Sequence, residues 1–236
     1  MDLKNKEIAK TFDAEQATYS KTVNEALSFS GLDVDFFTRV KADYILDIAS
    51  SQFEDVRSLK LIDIGCGVGN FHPLLAPRLG KVTGVDISPA SIERAKSANP
   101  GLDYATYDGR RLPQDDSTFD IAIAVCVMHH VPPADWPNFA SEMFRVLKPG
   151  GFAMCFEHNP LNPVARRVVD RCPFDEDAVL LRSAETVNLL KVAGFGDAKA
   201  RFILTVPAFN SALRSLDRLF SRVPLGAQYY AIARKN

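Results

Sequence analysis

Long apolar runs, paired cysteines and an excess of basic charge are what this chain has little of. No window of its 236 residues approaches 18 consecutive apolar positions, so no membrane-crossing helix is expected. The opening residues, Met1-Asp2-Leu3-Lys4-Asn5-Lys6-Glu7, lack the apolar core of an export signal, so neither export nor membrane insertion is expected. Twenty-eight Lys and Arg against 29 Asp and Glu give a net charge of −1, with no cationic surplus to neutralise a phosphate backbone. Nucleic acid is therefore not an expected partner. Four cysteines, Cys66, Cys126, Cys155 and Cys172, form no C-x-x-C pair, which indicates neither a zinc site nor a disulfide framework and fits reduced cytoplasmic thiols. With 47% hydrophobic and 24% charged residues, the chain suits one large α/β domain with appendages and is short for two domains.

What is there is organised around Leu61-Ile62-Asp63-Ile64-Gly65-Cys66-Gly67-Val68-Gly69, an apolar strand running into three alternate glycines. Without side chains at 65, 67 and 69 the backbone can bend sharply, and a ligand can lie against its N–H groups at the start of the next helix. A dinucleotide fingerprint needs its third glycine at position 70, where Asn70 stands. Asp63 precedes the first glycine by two residues; a carboxylate there repels a pyrophosphate but can hold the ammonium of an amino-acid cofactor. Asp86 follows Gly65 by 21 residues, at the end of a second apolar strand, where a ribose-binding carboxylate is expected about 20 residues on.

Asp63-x-Gly65-x-Gly67-x-Gly69, then Val82-Thr83-Gly84-Val85-Asp86-Ile87-Ser88, and later Leu147-Lys148-Pro149-Gly150-Gly151 resemble the signatures of class I S-adenosylmethionine-dependent methyltransferases. The likeness covers roughly residues 56 to 155. It implies S-adenosyl-L-methionine as cofactor, with Asp63, Gly65, Cys66, Gly67 and Gly69 in the first turn and Asp86 accepting from the ribose hydroxyls. Ile87 would lie on the adenine face, Asp108-Gly109 at the exocyclic amine, and Cys126 beside the methionine part.

From Val56 onwards strands and helices alternate. Strands are expected at 59–64, 82–87, 102–106, 119–126 and 152–157, and helices at 70–79, 88–97 and 134–147. A helix at 183–193 and strands at 199–206 and 227–233 follow. Such alternation gives an α/β fold, here a Rossmann-like, mostly parallel seven-stranded sheet with helices on both faces. Trp136, Phe139, Ala140, Met143, Phe144 and Leu147 form a helical stripe expected to be core. Residues 1–50, with Phe37, Val40, Tyr44 and Ile48 at helical spacing, read as an N-terminal helical cap that can fold over substrate, with Tyr19 as a lid residue. Residues 51–236 form the cofactor domain, with lid segments at 158–182 and 207–226. The latter is a helical insertion where the family has a tight hairpin.

Methyl transfer from a sulfonium is an in-line displacement that needs positioning and a lone pair, and no metal. A hydroxyl acceptor gains from a base titrating near neutrality, for which His130 and His158 are candidates, with Glu157 orienting one of them. His130 or His158 is favoured over His129 as that base, since adjacent residues 129 and 130 should point in different directions and only one can face the cleft; His129 is placed with the acceptor-binding residues. A metal held by Glu157, His158 and one of His129 and His130 is disfavoured by the lack of a carboxylate pair. No [DN]-P-P-[FYW] follows strand four and no Pro-Cys nucleophile motif is present, leaving a small-molecule acceptor. Arg167 and Arg171, four apart beside an Arg166–Asp170 pair at the same spacing, point to an acceptor carrying a carboxylate or phosphate. O-methylation is the leading expectation. N- or C-methylation and a catalytically silent cofactor-binding scaffold stand as alternatives. An NAD-dependent oxidoreductase is opposed by Asn70 and Asp63. A monomer or a homodimer is expected.

Overall fold

Strands of four to twelve residues, most of them separated by helices, build one sheet. The structure is a computed structural model and describes residues 3–15, 22, 24–25 and 32–236. In chain order the helices and strands are α1 (Leu3–Glu15), α2 (Val34–Gln52), β1 (Lys60–Ile64), α3 (His72–Leu75), β2 (Lys81–Asp86), α4 (Pro89–Ala98), β3 (Asp103–Thr106) and β4 (Phe119–Val125). Then come α5 (Trp136–Val146), β5 (Leu147–His158), α6 (Pro163–Val169), α7 (Ser183–Val192), β6 (Gly196–Ile203), α8 (Ser211–Leu219) and β7 (Gln228–Arg234). The sheet order is β3-β2-β1-β4-β5-β7-β6. The first five strands are parallel, and β7 runs antiparallel to both β5 and β6. This is the expected Rossmann-like arrangement.

Period-two alternation along β4 divides the interior into two cores. Ile121 and Ile123 face the side covered by α2, packing with Tyr44, Ile45, Leu61 and Leu75. Ala122 and Ala124 face the other side, where their small size admits Phe139 and Met143 of α5. The stripe on α5 is therefore core, as its spacing indicates. No helix of the described residues is long and apolar enough to cross a membrane.

Several boundaries move for identifiable reasons. The helix expected over 70–79 is reduced to His72–Leu75, because Pro77 has no N–H to continue the ladder. The fifth strand begins at Leu147 rather than 152, since Gly150 N and Lys235 N exchange bonds with Lys235 O and Gly151 O. The sixth strand stops at Ile203 because Leu204 adopts a left-handed φ of 62°.

That left-handed residue begins a clamp. Asp217 on α8 is fully buried and accepts from Leu204 N, Thr205 N and Val206 N at 2.8, 2.8 and 3.0 Å. Tyr44 of α2 donates its hydroxyl to the same carboxylate at 2.9 Å. Outside it, Arg214 pairs with Asp43 and Asp47 at 2.7 and 2.9 Å. The insertion at 207–226 is thus fastened to α2 and β6 by one buried carboxylate. Asp217→Ala strands four donors and is expected to cost about 3 kcal/mol or more. A shift of the urea midpoint worth less than about 1 kcal/mol would show that Asp217 does not fasten the insertion.

Candidate active site

The sheet reverses its order between β1 and β4, and the carboxyl ends of its strands open there onto a cleft. Gly65, Gly67 and Gly69 follow β1 with φ of 79°, 52° and 75°. The N–H groups of Gly65 and Cys66 both donate to Val85 O, at 2.7 and 3.0 Å, which curls the turn over β2. A Cβ on Gly65 would stand 2.6 Å from Val127, whereas one on Gly67 would meet nothing within 4 Å. Gly65 is therefore required by packing, and Gly67 by its φ alone.

Asp86 is held at the edge of this cradle. Its carboxylate accepts from Gly67 N at 2.8 Å and Ser88 N at 2.9 Å. Burial raises its pKa to about 6, with those two amides pulling the other way. Asp63 is buried, with Oδ2 3.2 Å from His72 Nε2, and the His72 ring bonds through Nδ1 to the Tyr104 hydroxyl at 2.5 Å. Asp63 Oδ1 is buried with no hydrogen-bond partner among the described residues. An orphaned carboxylate oxygen beside a glycine cradle fits the ammonium of S-adenosylmethionine, and Asp86 fits its ribose.

At the far end of the cradle Asp108 Oδ1 accepts from Arg110 N and Arg111 N, each at 2.9 Å, fixing its own turn. Asn5 of α1 donates to Asp108 O at 3.2 Å and lies so close to Gly109 that a Cβ there would meet it at 2.4 Å. Helix α1 is docked by Asp13, whose Oδ1 accepts from Ala90 N at 3.1 Å.

The other half of the cleft is built where β4 ends. Cys126 takes a left-handed φ of 56°. Beyond it Val127 N and Met128 N donate to Glu157 Oε1 at 3.2 and 2.8 Å. This winds Met128–His130 into a 3-10 turn and brings His129 Nδ1 onto Glu157 Oε2. Burial disfavours the charge on His129, but Glu157 and Asp175 outweigh it and raise its pKa well above the ordinary value. Burial, and then His129 beside it, push His130 down to about 3. Lys41 Nζ donates to Cys126 Sγ at 3.2 Å, and Gln228 Nε2 stands 3.8 Å from that sulfur and 3.5 Å from His158 Nδ1. Burial opposes ionisation of Cys126, yet Lys41 and His158 bring its thiol down to about 7.

One cavity of about 370 Å³ joins the two halves. Of the residues singled out from sequence, Asp63, Gly65, Cys66, Gly67, Asp86, Ile87, Gly109, Cys126, His129, His130 and His158 line it. Gly69, Asp108 and Glu157 stand outside the wall, with Glu157 directly behind His129. Tyr19 lies outside the described residues. Two expectations are corrected. His129 and His130 do not diverge: a 3-10 turn sets their rings 4.1 Å apart, and both reach Asp175. Arg167 and Arg171 are exposed and absent from the wall: α6 ends at Val169, before Arg171, and the residues it gives to the wall are Val164, Ala165 and Val168. Sequence reasoning missed Lys41, His72, Asp175 and Gln228. Only Lys41 left a signal, a cation four residues after Phe37 and three before Tyr44, on the apolar stripe of α2.

Residues 62–155 match the family described as "Methyltransferase domain". The 2-methyl-6-phytyl-1,4-hydroquinone methyltransferase of Synechocystis sp. is 35% identical over 126 residues, covering 47% of this chain and 39% of that protein. The sterol 4-C-methyltransferase strm-1 of Caenorhabditis elegans is 36% identical over 108 residues, 43% of this chain and 32% of its own. The matched region thus spans about two fifths or less of these curated relatives. A solved S-adenosylmethionine-dependent methyltransferase of Thermotoga maritima superposes with a TM-score of 0.61 at 20% identity, covering 84% of this chain and 91% of that one, a likeness of fold.

The thiol at the meeting point of the two halves gives a direct check on this geometry. Labelling of Cys126 by iodoacetamide, followed by peptide mass spectrometry, is expected to rise with pH through a midpoint near 7. Lys41→Met should move that midpoint up by about one pH unit or more. A midpoint that stays put would remove Lys41 from the thiol's environment.

Proposed function

We propose that the protein is a class I S-adenosylmethionine-dependent methyltransferase, as the match of residues 62–155 to a methyltransferase domain supports, and that it transfers the methyl group to an apolar, lipid-like small molecule bearing a hydroxyl. The observation that carries this reading is the continuity of the cavity, which runs from the glycine cradle into a chamber walled by Phe36, Phe37, Val131, Val164, Val168 and Phe174. Both curated relatives are named for acceptors that join an apolar body to hydroxyl groups, a phytyl hydroquinone and a sterol. The exposed placement of Arg167 and Arg171 weighs against the anionic acceptor expected from sequence.

In this reading Asp63 and the glycine turn hold the amino-acid end of the cofactor, and Asp86 accepts from the ribose hydroxyls. Ile87 lies against the base, whose outer edge is closed by Asn5 and Gly109. The cofactor supplies an electrophilic methyl on a sulfonium. The chain aligns the acceptor for in-line attack, excludes water with its aromatic and aliphatic wall, and takes up the hydroxyl proton. We assign that proton to His158, on the cavity wall at the end of β5 and steadied by Gln228. His129 is committed to Glu157 and Asp175, and His130 is too weak a base once driven down to about 3. A second reading, methylation at a carbon activated by a neighbouring hydroxyl, is favoured by the C-methylating name of one relative and uses the same base.

Incubation with methyl-labelled S-adenosylmethionine and fractionated lipid extract is the test, and label should enter an organic-soluble product. Binding of S-adenosylhomocysteine without transfer to any fraction would favour a silent scaffold. Asp86→Ala should weaken S-adenosylhomocysteine at least tenfold by calorimetry, about 1.5–3 kcal/mol for each charge-assisted bond lost. Because the Asp86 pKa is about 6, wild-type affinity should be full at neutral pH and fall as the pH drops through 6 and the carboxylate is protonated. His158→Ala should lower kcat by about 10²–10⁴ with S-adenosylhomocysteine affinity kept. A full-rate variant would leave positioning alone as the source of catalysis.

A further inference from the structure

The acceptor end of the cavity holds a group of side chains that proton transfer does not use. His129 Nε2 and His130 Nε2 lie 3.5 and 3.4 Å from the same atom, Asp175 Oδ1. The three donor atoms lie within 4.8 Å of one another, and all three residues line the cavity. We propose that His129, His130 and Asp175 form a binding site for a divalent first-row cation of zinc-like preference, which holds an oxygen of the acceptor.

Three features carry the proposal. Zinc bonds of about 2.0–2.1 Å in tetrahedral geometry set neighbouring donors about 3.4 Å apart, which is the spacing of both imidazole nitrogens from Asp175. The donor set, two imidazole nitrogens and one carboxylate oxygen, suits zinc, iron, cobalt or manganese and leaves coordination positions for substrate. The support behind the ligands is also built. Glu157 engages His129 Nδ1, which leaves Nε2 as the metal-facing nitrogen, the carboxylate–histidine–metal arrangement of protein metal sites. Glu157 is in turn held by Val127 N and Met128 N, so the ring is oriented before any ion arrives. Asp175 is brought from 45 residues away by Val179 N, which donates to His129 O at 2.9 Å. This also supplies the carboxylate pair, Glu157 and Asp175, that the sequence does not reveal.

The catalytic meaning of the site rests on the function proposed above: a cation there would bind the acceptor hydroxyl and favour its oxyanion beside the methyl donor. The binding itself does not depend on that function, and the experiment separates them. Chelator-treated protein is titrated with cobalt(II) chloride in the absence of any methyl acceptor. One equivalent should give visible ligand-field bands, and zinc should abolish them by displacement. His130→Gln and Asp175→Asn, each checked by its melting curve, should weaken cobalt at least tenfold. Glu157→Gln should weaken it about 10- to 100-fold by loosening His129. Absence of cobalt bands in the wild-type protein would overturn the proposal and leave His129 as an imidazolium between two carboxylates. Equal affinity in the folded His130 and Asp175 variants would also overturn it, whatever the outcome of the transfer assay.

Discussion

A carboxylate buried in the middle of a sheet has to be answered by donors, and the answer to Glu157 shapes the acceptor half of this protein. The side chain is fully buried on β5, opposite Tyr229 of β7. Left without partners it would cost several kcal/mol, so the segment leaving β4 must supply them. It does so by turning at Cys126 and presenting two successive N–H groups and one imidazole. Burial alone would raise the pKa of Glu157, but His129 holds it below the usual value. The same turn is held from its other side by Trp136, whose Nε1 donates to Met128 O and Val131 O, both at 2.9 Å. With both sides fixed, the 3-10 turn cannot relax without stranding a buried charge. The positions of His129 and His130 are therefore set by folding rather than by ligand.

The cofactor half has a different origin, and this explains how much of each half could be read from sequence. Its residues lie on β1, β2 and the turns that leave them, so strand ends, glycine spacing and one acid about 20 residues on were enough to place Asp63, Gly67 and Asp86. The acceptor half is assembled from α2, β5, the 3-10 turn at 173–175 and β7. No short-range pattern links Lys41 to Cys126, or Asp175 to His129, because the fold alone makes them neighbours. His72 was hidden for a related reason: it stands one turn beyond the glycines, where helical spacing marks it as padding, yet it holds Asp63. The arginines failed differently. Helix α6 ends at Val169, so Arg171 lies beyond it and does not share its spacing, and the side chains the helix buries are Ala165 and Val169 while Arg167 and Arg171 stay exposed.

Apolar character continues outward from the cavity. Val164 lines it and is also half exposed, and Leu161, Phe209 and Leu225 stand exposed on the two segments beside it. Those segments are joined by Asn162 Nδ2, which donates to Leu225 O at 2.7 Å, and by Asn159 Nδ2, which donates to Gly226 O at 2.8 Å. Phe209 packs on Phe36 of α2 with ring centroids 4.8 Å apart, and Phe36 lines the cavity. Asparagine side chains thus close the polar backbone of both loops internally, leaving their apolar side chains to form the margin.

An apolar margin above a charged floor imposes an order on the chemistry. In the proposed reaction a sulfonium and a hydroxyl would both lose hydration on entering such a space, and each would need a fixed dipole or charge in place of the lost water. Asp63 and Asp86 lie on one side, and Cys126, His158 and the Glu157–His129–Asp175 chain lie on the other. Every one of these groups is held by a backbone amide, a second side chain or both, with Asp63 Oδ1 the orphan that a ligand must answer. Rigid polar groups facing a cavity closed by aliphatic and aromatic walls keep their orientation as substrate binds, so little reorganisation is left for the moment of transfer.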